Sequence, residues 1–291
     1  MTMTATGTTT GLTSAVGTPA KSANTTANTA AAPTPSAPSA PSDTTADQAR
    51  WLRHLNRRTG GIRLFCLPDV GAGATTFRGW PELLGPGVEV TAVQLPGRED
   101  RIRDRAHESL DELLDELVPV LADAVDGPYA LFGHSMGALI AFEAARRLVA
   151  QGAPAPLHLF ASAHGAPHAP YRARYVSNLP EPEFRHAVVS LNGFREGAPK
   201  ESAFLSLLLP TLRADFRLCE TYEFVPGAPL PCRLTVLTGA DEDVSPLDLA
   251  LWRELHTGRF RIRVIDGDRD FVVKHRRQVA EVVRAGLAGE Y

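Results

Sequence analysis

The pentapeptide Gly133-His134-Ser135-Met136-Gly137 constrains this chain more than any other stretch. It sits between an apolar run, Tyr129-Ala130-Leu131-Phe132, and a helical stretch from Ala138 to Val149. Gly-x-Ser-x-Gly between a strand and a helix is the pattern of a nucleophile elbow. The glycines answer a steric need. The turn holds its serine in a strained conformation, and side chains on the neighbours would keep strand and helix from packing so closely. The hydroxyl of Ser135 is then presented above the carboxyl edge of a sheet. The helix that begins there aims backbone N–H groups, including that of Met136, at a reacting oxygen. The bland reading is a tight turn with an incidental serine, and the strand and helix on either side speak against it.

A chain of 291 residues, 44% hydrophobic and 22% charged, can build one large core. A net charge of −3 gives no reason to expect nucleic acid or an anionic membrane surface as partner. Cys66, Cys219 and Cys232 are scattered in or beside apolar segments and lack metal-ligand spacing. They read as buried free thiols of a reducing, cytoplasmic protein. No carboxylate–histidine or Cys/His cluster suggests a metal. No apolar run reaches the roughly 20 residues that span a bilayer. Residues 1–47 are almost all Thr, Ala, Ser, Gly and Pro. They lack the apolar side chains that offset the entropy of ordering, so a disordered tail is expected, without the pattern of a secretory signal.

The folded part is expected over 48–291, opening with a short helix through Arg50–Leu55. Ile62–Leu67 reads as a buried strand, followed by the loop Asp69–Ala74 and a helix carrying Phe77, Trp80 and Leu83-Leu84. Val88–Leu95 is a further strand. Leu110, Leu113, Leu114, Leu117, Val118 and Leu121 recur at helical spacing. Further strands are expected at 157–161, 232–238 and 260–265. Strands alternating with helices, several of them apolar throughout, point to an α/β fold with a mostly parallel sheet covered on both faces. Residues 165–224 interrupt the alternation with short helical pieces and prolines, as a lid over the serine would.

Several further segments carry a resemblance. They are Phe65-Cys66-Leu67-Pro68 with Gly71–Ala74 and Phe77-Arg78-Gly79-Trp80, then Gln94-Leu95-Pro96-Gly97-Arg98-Glu99, and Tyr129–Ala138. Ala166-Pro167-His168 and Leu209-Pro210-x-x-Arg213-x-Asp215 add to them. From about Arg50 to about Val283 the chain resembles the external, type II thioesterases of polyketide and non-ribosomal peptide assembly lines. The resemblance implies an α/β-hydrolase with a helical lid, soluble and monomeric. It implies an enzyme that takes an acyl chain from the phosphopantetheine arm of a carrier protein, with no cofactor of its own. It maps the serine nucleophile to Ser135 and the oxyanion donors to the N–H groups of Met136 and Val70. It places the orienting aspartate in Thr238–Ser245, at Asp241 or at its rival Asp243.

The resemblance fails at the base. The family expects Gly-(Gly/Asp)-His-Phe after the last strand, and this chain reads Gly267-Asp268-Arg269-Asp270-Phe271. Arg269 stands where the histidine should be, and a guanidinium cannot accept a proton from serine at neutral pH. Loss of the base typically costs on the order of 10⁴ to 10⁶ in turnover. The first loop departs too: Pro68-Asp69-Val70-Gly71-Ala72 replaces the family's Pro-His-Ala-Gly-Gly. A carboxylate there opposes the negative charge developed in thioester cleavage. Asp69 and Arg269 are therefore candidate partners across the cleft in an altered chemistry.

His164, His168 and His275 are the candidate replacement bases. His54, His107, His186 and His256 read as surface residues, His158 as packed in a strand, and His134 as pointing away from the hydroxyl. Arg146-Arg147 and Arg276-Arg277 read as solvated helix faces, or as a contact for an acidic carrier protein. Three functions are open at this point. The chain is a thioesterase working with an unconventional base, a homologue turned to cyclisation, elimination, isomerisation or acyl transfer through Asp69 and Arg269, or a silent carrier-binding partner.

Overall fold

The computed structural model describes residues 44–191 and 203–290; the expected tail lies outside them as far as residue 43, as does the stretch 192–202 within the insertion. In chain order the elements are α1 (Thr44–Trp51), β1 (Leu52–His54), β2 (Ile62–Leu67), α2 (Trp80–Leu84), β3 (Val88–Val93) and α3 (Leu110–Ala124). The elbow joins β4 (Tyr129–His134) to α4 (Met136–Ala150), and β5 (His158–Ser162) follows. The insertion supplies α5 (Glu181–Leu191) and α6 (Ala203–Glu220). The chain closes with β6 (Arg233–Gly239), α7 (Pro246–Ala250), β7 (Phe260–Ile265), α8 (Phe271–Lys274) and α9 (Arg276–Ala288).

The strands form one sheet in the order β1-β3-β2-β4-β5-β6-β7. All neighbours are parallel except β1, which runs antiparallel to β3 with Leu52 opposite Val93. Every residue of β3 and β4 is buried; β4 reads as a largely apolar run for that reason, whereas β3 also buries Glu89, which accepts from the Thr59 and Gly60 N–H groups and pairs with Arg63. The edge strand β7 is only partly buried and carries Arg261 and Arg263. The stripe from Leu110 to Leu121 on α3 is buried against α4 and one face of the sheet. On the other face, Phe77, Trp80 and Phe132 pack with Val279 and Val283 of α9.

Two expectations are corrected. The helix expected through Arg50–Leu55 ends at Trp51, and Leu52–His54 form β1 instead. Leu52 is buried while Arg53 and His54 lie at the rim, so three residues suffice to extend the sheet. The single helix expected around Phe77–Leu84 is a 3-10 turn at Ala74–Phe77 followed by α2. Gly79, at φ 80°, breaks the two apart. Within the insertion, α5 and α6 share a small core of their own, built from Val176, Phe184, Val188, Leu205, Leu209 and Leu212.

Candidate active site

β4 sits between β2 and β5 near the middle of the sheet, and Ser135 leaves its carboxyl end at φ 54° and ψ −118°. A non-glycine residue persists in that region only where its surroundings impose it. Here they do. The Ser135 N–H donates to the Ser162 carbonyl at 2.7 Å. An added Cβ on Gly133 would lie 2.1 Å from the Gly137 carbonyl oxygen, and one on Gly137 would lie 2.2 Å from that of Leu67. Ser135 is buried, and α4 begins at Met136, leaving first-turn N–H groups for a ligand oxygen.

Arg269 meets this serine directly: its Nη2 donates a hydrogen bond to Ser135 Oγ. The position that the resemblance reserves for a base thus faces Ser135, but it delivers a proton donor. The guanidinium occupies a lone pair of the hydroxyl and takes no proton from it. Its Nε lies 4.0 Å from Asp69 Oδ2, so the pairing of Asp69 with Arg269 is present as a loose ion pair. Asp69 Oδ1 accepts a hydrogen bond from Val70 N–H at 2.6 Å. The amide expected to serve as the second oxyanion donor is therefore held by a carboxylate of its own loop.

His134 fixes Arg269 from behind. A carbonyl only accepts, so His134 Nε2 carries the proton donated to the Arg269 carbonyl at 3.0 Å, and Nδ1 accepts from Ser162 Oγ at 2.8 Å. The ring stands edge-on to Phe271. Burial lowers its pKa to about 4, so it is neutral at physiological pH. It points away from Ser135 Oγ and belongs to the scaffold.

The acid loop holds a residue that sequence reasoning passed over. Asp241 and Asp243 are exposed. Glu242 between them turns inward: its Oε2 accepts from Gly239 N–H at 3.1 Å and Thr238 Oγ1 at 3.3 Å, and its Oε1 is buried without a protein partner among the described residues. Burial raises its pKa, against the pull of the Gly239 amide and Arg269. The turn closed by Glu242 N–H on the Gly239 carbonyl folds this side chain back over the strand end. A carboxylate three residues beyond a glycine that ends a strand was the available signal.

A thioesterase domain model matches residues 62–287, from the start of β2 into α9. The chain belongs to the thioesterase domain family. It is 34% identical over 248 residues to linear gramicidin dehydrogenase LgrE of Brevibacillus parabrevis, a match covering 82% of this chain and 93% of that one. It is 36% identical over 225 residues to thioesterase PikA5 of Streptomyces venezuelae, covering 76% and 79% of the two chains. Among solved structures, the type II thioesterase BorB from the borrelidin biosynthetic cluster matches with a TM-score of 0.74 at 34% identity, over 81% of this chain and 97% of that one.

The three candidate replacement bases take different places in this thioesterase fold, His164 near enough to Asp69 and Arg269 to feel their charges. His164 Nδ1 is 2.6 Å from the Gly165 carbonyl, and burial lowers its pKa. His168 Nε2 lies 3.3 Å from a Glu254 carboxylate oxygen, with its ring against Phe224. His275 packs under Gly267 and lines a surface cleft with Asp266, Lys274 and Arg276. Contrary to expectation, His256 is buried, with Nδ1 against the Cys232 carbonyl. Arg146 pairs with Glu143, and Arg147 with Asp111 and Asp115, while Arg276 and Arg277 are exposed. The three cysteines are free; Cys66 and Cys232 are buried and Cys219 is half-buried.

Proposed function

We propose that the protein acts on an acyl thioester carried on the phosphopantetheine arm of a carrier protein in polyketide or non-ribosomal peptide assembly. The observation that carries this reading is Ser135, kept in its strained elbow at the start of α4 within a family match that spans the sheet. In the hydrolytic course, the thioester carbonyl oxygen sits at the Met136 N–H. Ser135 Oγ bonds to the carbonyl carbon, the C–S bond breaks, and the serine proton passes through water to the departing thiolate. Water then releases the acyl group. With Arg269 in place of a base, and the Val70 amide held by Asp69, this course is slow.

A second reading draws on the bond between Asp69 and Val70. A carboxylate fixed by a backbone amide, with its free oxygen turned toward a guanidinium, is an acid/base group beside an anion holder. That pair suits a step that alters the acyl chain without releasing it.

Mass spectrometry of an acyl-loaded carrier protein, incubated with the wild type, Ser135→Ala and Asp69→Asn, separates the two. Loss of the acyl mass that depends on Ser135 is expected for hydrolysis. A retained acyl chain with an Asp69-dependent mass change supports the second reading. An acyl chain that keeps its mass after incubation with the wild type, and shows an unchanged structure by NMR, overturns both.

A further inference from the structure

Asp215 and Arg98 are both buried, and they form a two-pronged ion pair. Arg98 Nη1 and Nη2 reach the two carboxylate oxygens at 2.9 and 2.7 Å. Charges withdrawn this far from water persist only when paired and fully hydrogen-bonded. Arg98 Nε donates to the Pro96 carbonyl at 3.1 Å, and the other bonds of the pair converge on one place. Asp215 Oδ2 also accepts from Gly71 N–H at 2.7 Å, and Arg98 Nη1 also donates to the Ala72 carbonyl at 3.3 Å. Gln94 extends the clamp, donating to the Arg98 carbonyl at 3.0 Å and accepting from Ala74 N–H at 2.8 Å. Residues 71, 72 and 74 are thereby held immediately beyond Asp69 and Val70.

Asp215 belongs to α6, the long helix of the insertion, so the clamp joins the insertion to the site loop. Two further contacts lie on the same side of α6. Thr211 Oγ1 donates to the Gly97 carbonyl at 2.5 Å, and Leu212 fills the space where Gly71 lacks a side chain. Gly71 sits at φ 67°, a conformation that suits glycine, and an added Cβ would lie 2.5 Å from Leu212 Cδ2.

We infer that Asp215 is a positioning residue for the loop carrying Asp69 and Val70, and that α6 and this loop form one body. The part of the insertion nearest the loop is then a fixed wall of the site. Its position sets where Asp69 and the Val70 amide point. The kinetic consequence rests on the function proposed above; the structural one does not.

The test uses the full chain and a double variant, Arg98→Met with Asp215→Leu. Replacing both members of a buried ion pair by apolar side chains commonly keeps a protein folded, whereas removing one leaves a stranded charge. The double variant supplies no acceptor for Gly71 N–H. By hydrogen–deuterium exchange, amides of 69–74 and of α6 are expected to exchange roughly tenfold faster or more, with β4 and α4 unchanged. Loop exchange unchanged from wild type in the folded variant overturns the inference. Asp215→Asn keeps an acceptor for Gly71 and should hold loop exchange slow. If the double variant does not fold, Asp215→Asn is compared with Asp215→Ala, which has no acceptor, and equal loop exchange in the two overturns the inference. Reaction of Ser135 with a fluorophosphonate probe is the second readout. Its maximal rate is expected to fall about tenfold in the double variant with half-saturation little changed. A wild type that the probe fails to label counts against the role proposed for Ser135, and the exchange result still decides the role of Asp215.

Discussion

The elbow and the two loops that face it are held by different physics. At the elbow, backbone approaches backbone: Gly133 and Gly137 leave no room for a methyl group, and Ser135 is forced into its strained conformation. At the facing loops, polar side chains do the holding. Asp69 caps Val70, Arg269 reaches Ser135, and His134 ties down the Arg269 carbonyl. Steric fit at the elbow leaves no room for any side chain at its two glycine positions. A loop held through its backbone accepts different side chains, so the reaction partner of the serine can change while the turn presenting it stays as it was.

Gly137→Ala carries the largest expected effect. The new Cβ would lie 2.2 Å from the Leu67 carbonyl oxygen, so strand and helix must separate. The expected loss is on the order of 4 kcal/mol or more, read from the urea midpoint. A loss under about 1 kcal/mol would mean the elbow is as adaptable as the loops. Arg269→His tests the opposite side. Because His134 holds the backbone at 269 and not the side chain, the exchange should leave the fold intact. It should raise thioester hydrolysis by roughly 10² to 10⁴, the usual worth of a general base. No increase in acyl release would show that the loop has lost more than its base.

The third prediction concerns acid. His134 has a folded pKa near 4, below the ordinary 6.5, so the unfolded chain takes up its proton first as the pH falls. Its contribution is whole above about pH 6.5 and is lost as the pH drops toward 4, a total of about 3 kcal/mol. Urea unfolding across that window should show this loss in the wild type, and a loss smaller by about that amount in His134→Gln. The smallest effect is expected at the surface. Arg147→Ala removes pairs to the exposed Asp111 and Asp115 and should lower stability by less than about 1 kcal/mol.

The same division explains what could be read from the sequence. The inner strands were legible because strands buried on both faces are mostly apolar, with the paired Arg63 and Glu89 as exceptions, and the elbow was legible because its glycines are sterically compelled. β1 was not: three residues, one of them buried, carry too little pattern to tell an edge strand from the end of a helix. Glu242 was hidden among three consecutive acids, where only the turn onto Gly239 decides which one faces inward. The Arg98–Asp215 clamp joins residues 117 apart, and neither marks its partner. Arg269 was legible as a departure, and its bond to Ser135 became visible only in three dimensions.

β1 also bears on how the protein can be handled in solution. The family match begins at residue 62, which invites trimming the chain to that point. Such a trimmed chain would lose Leu52–His54 and with them the ladder covering β3, whose Val88-Glu89-Val90-Thr91-Ala92-Val93 would become an open edge. An uncovered strand edge is a template on which a second molecule can add. The short antiparallel strand thus acts as a guard against self-association, and recombinant versions that begin after it should be the ones that precipitate.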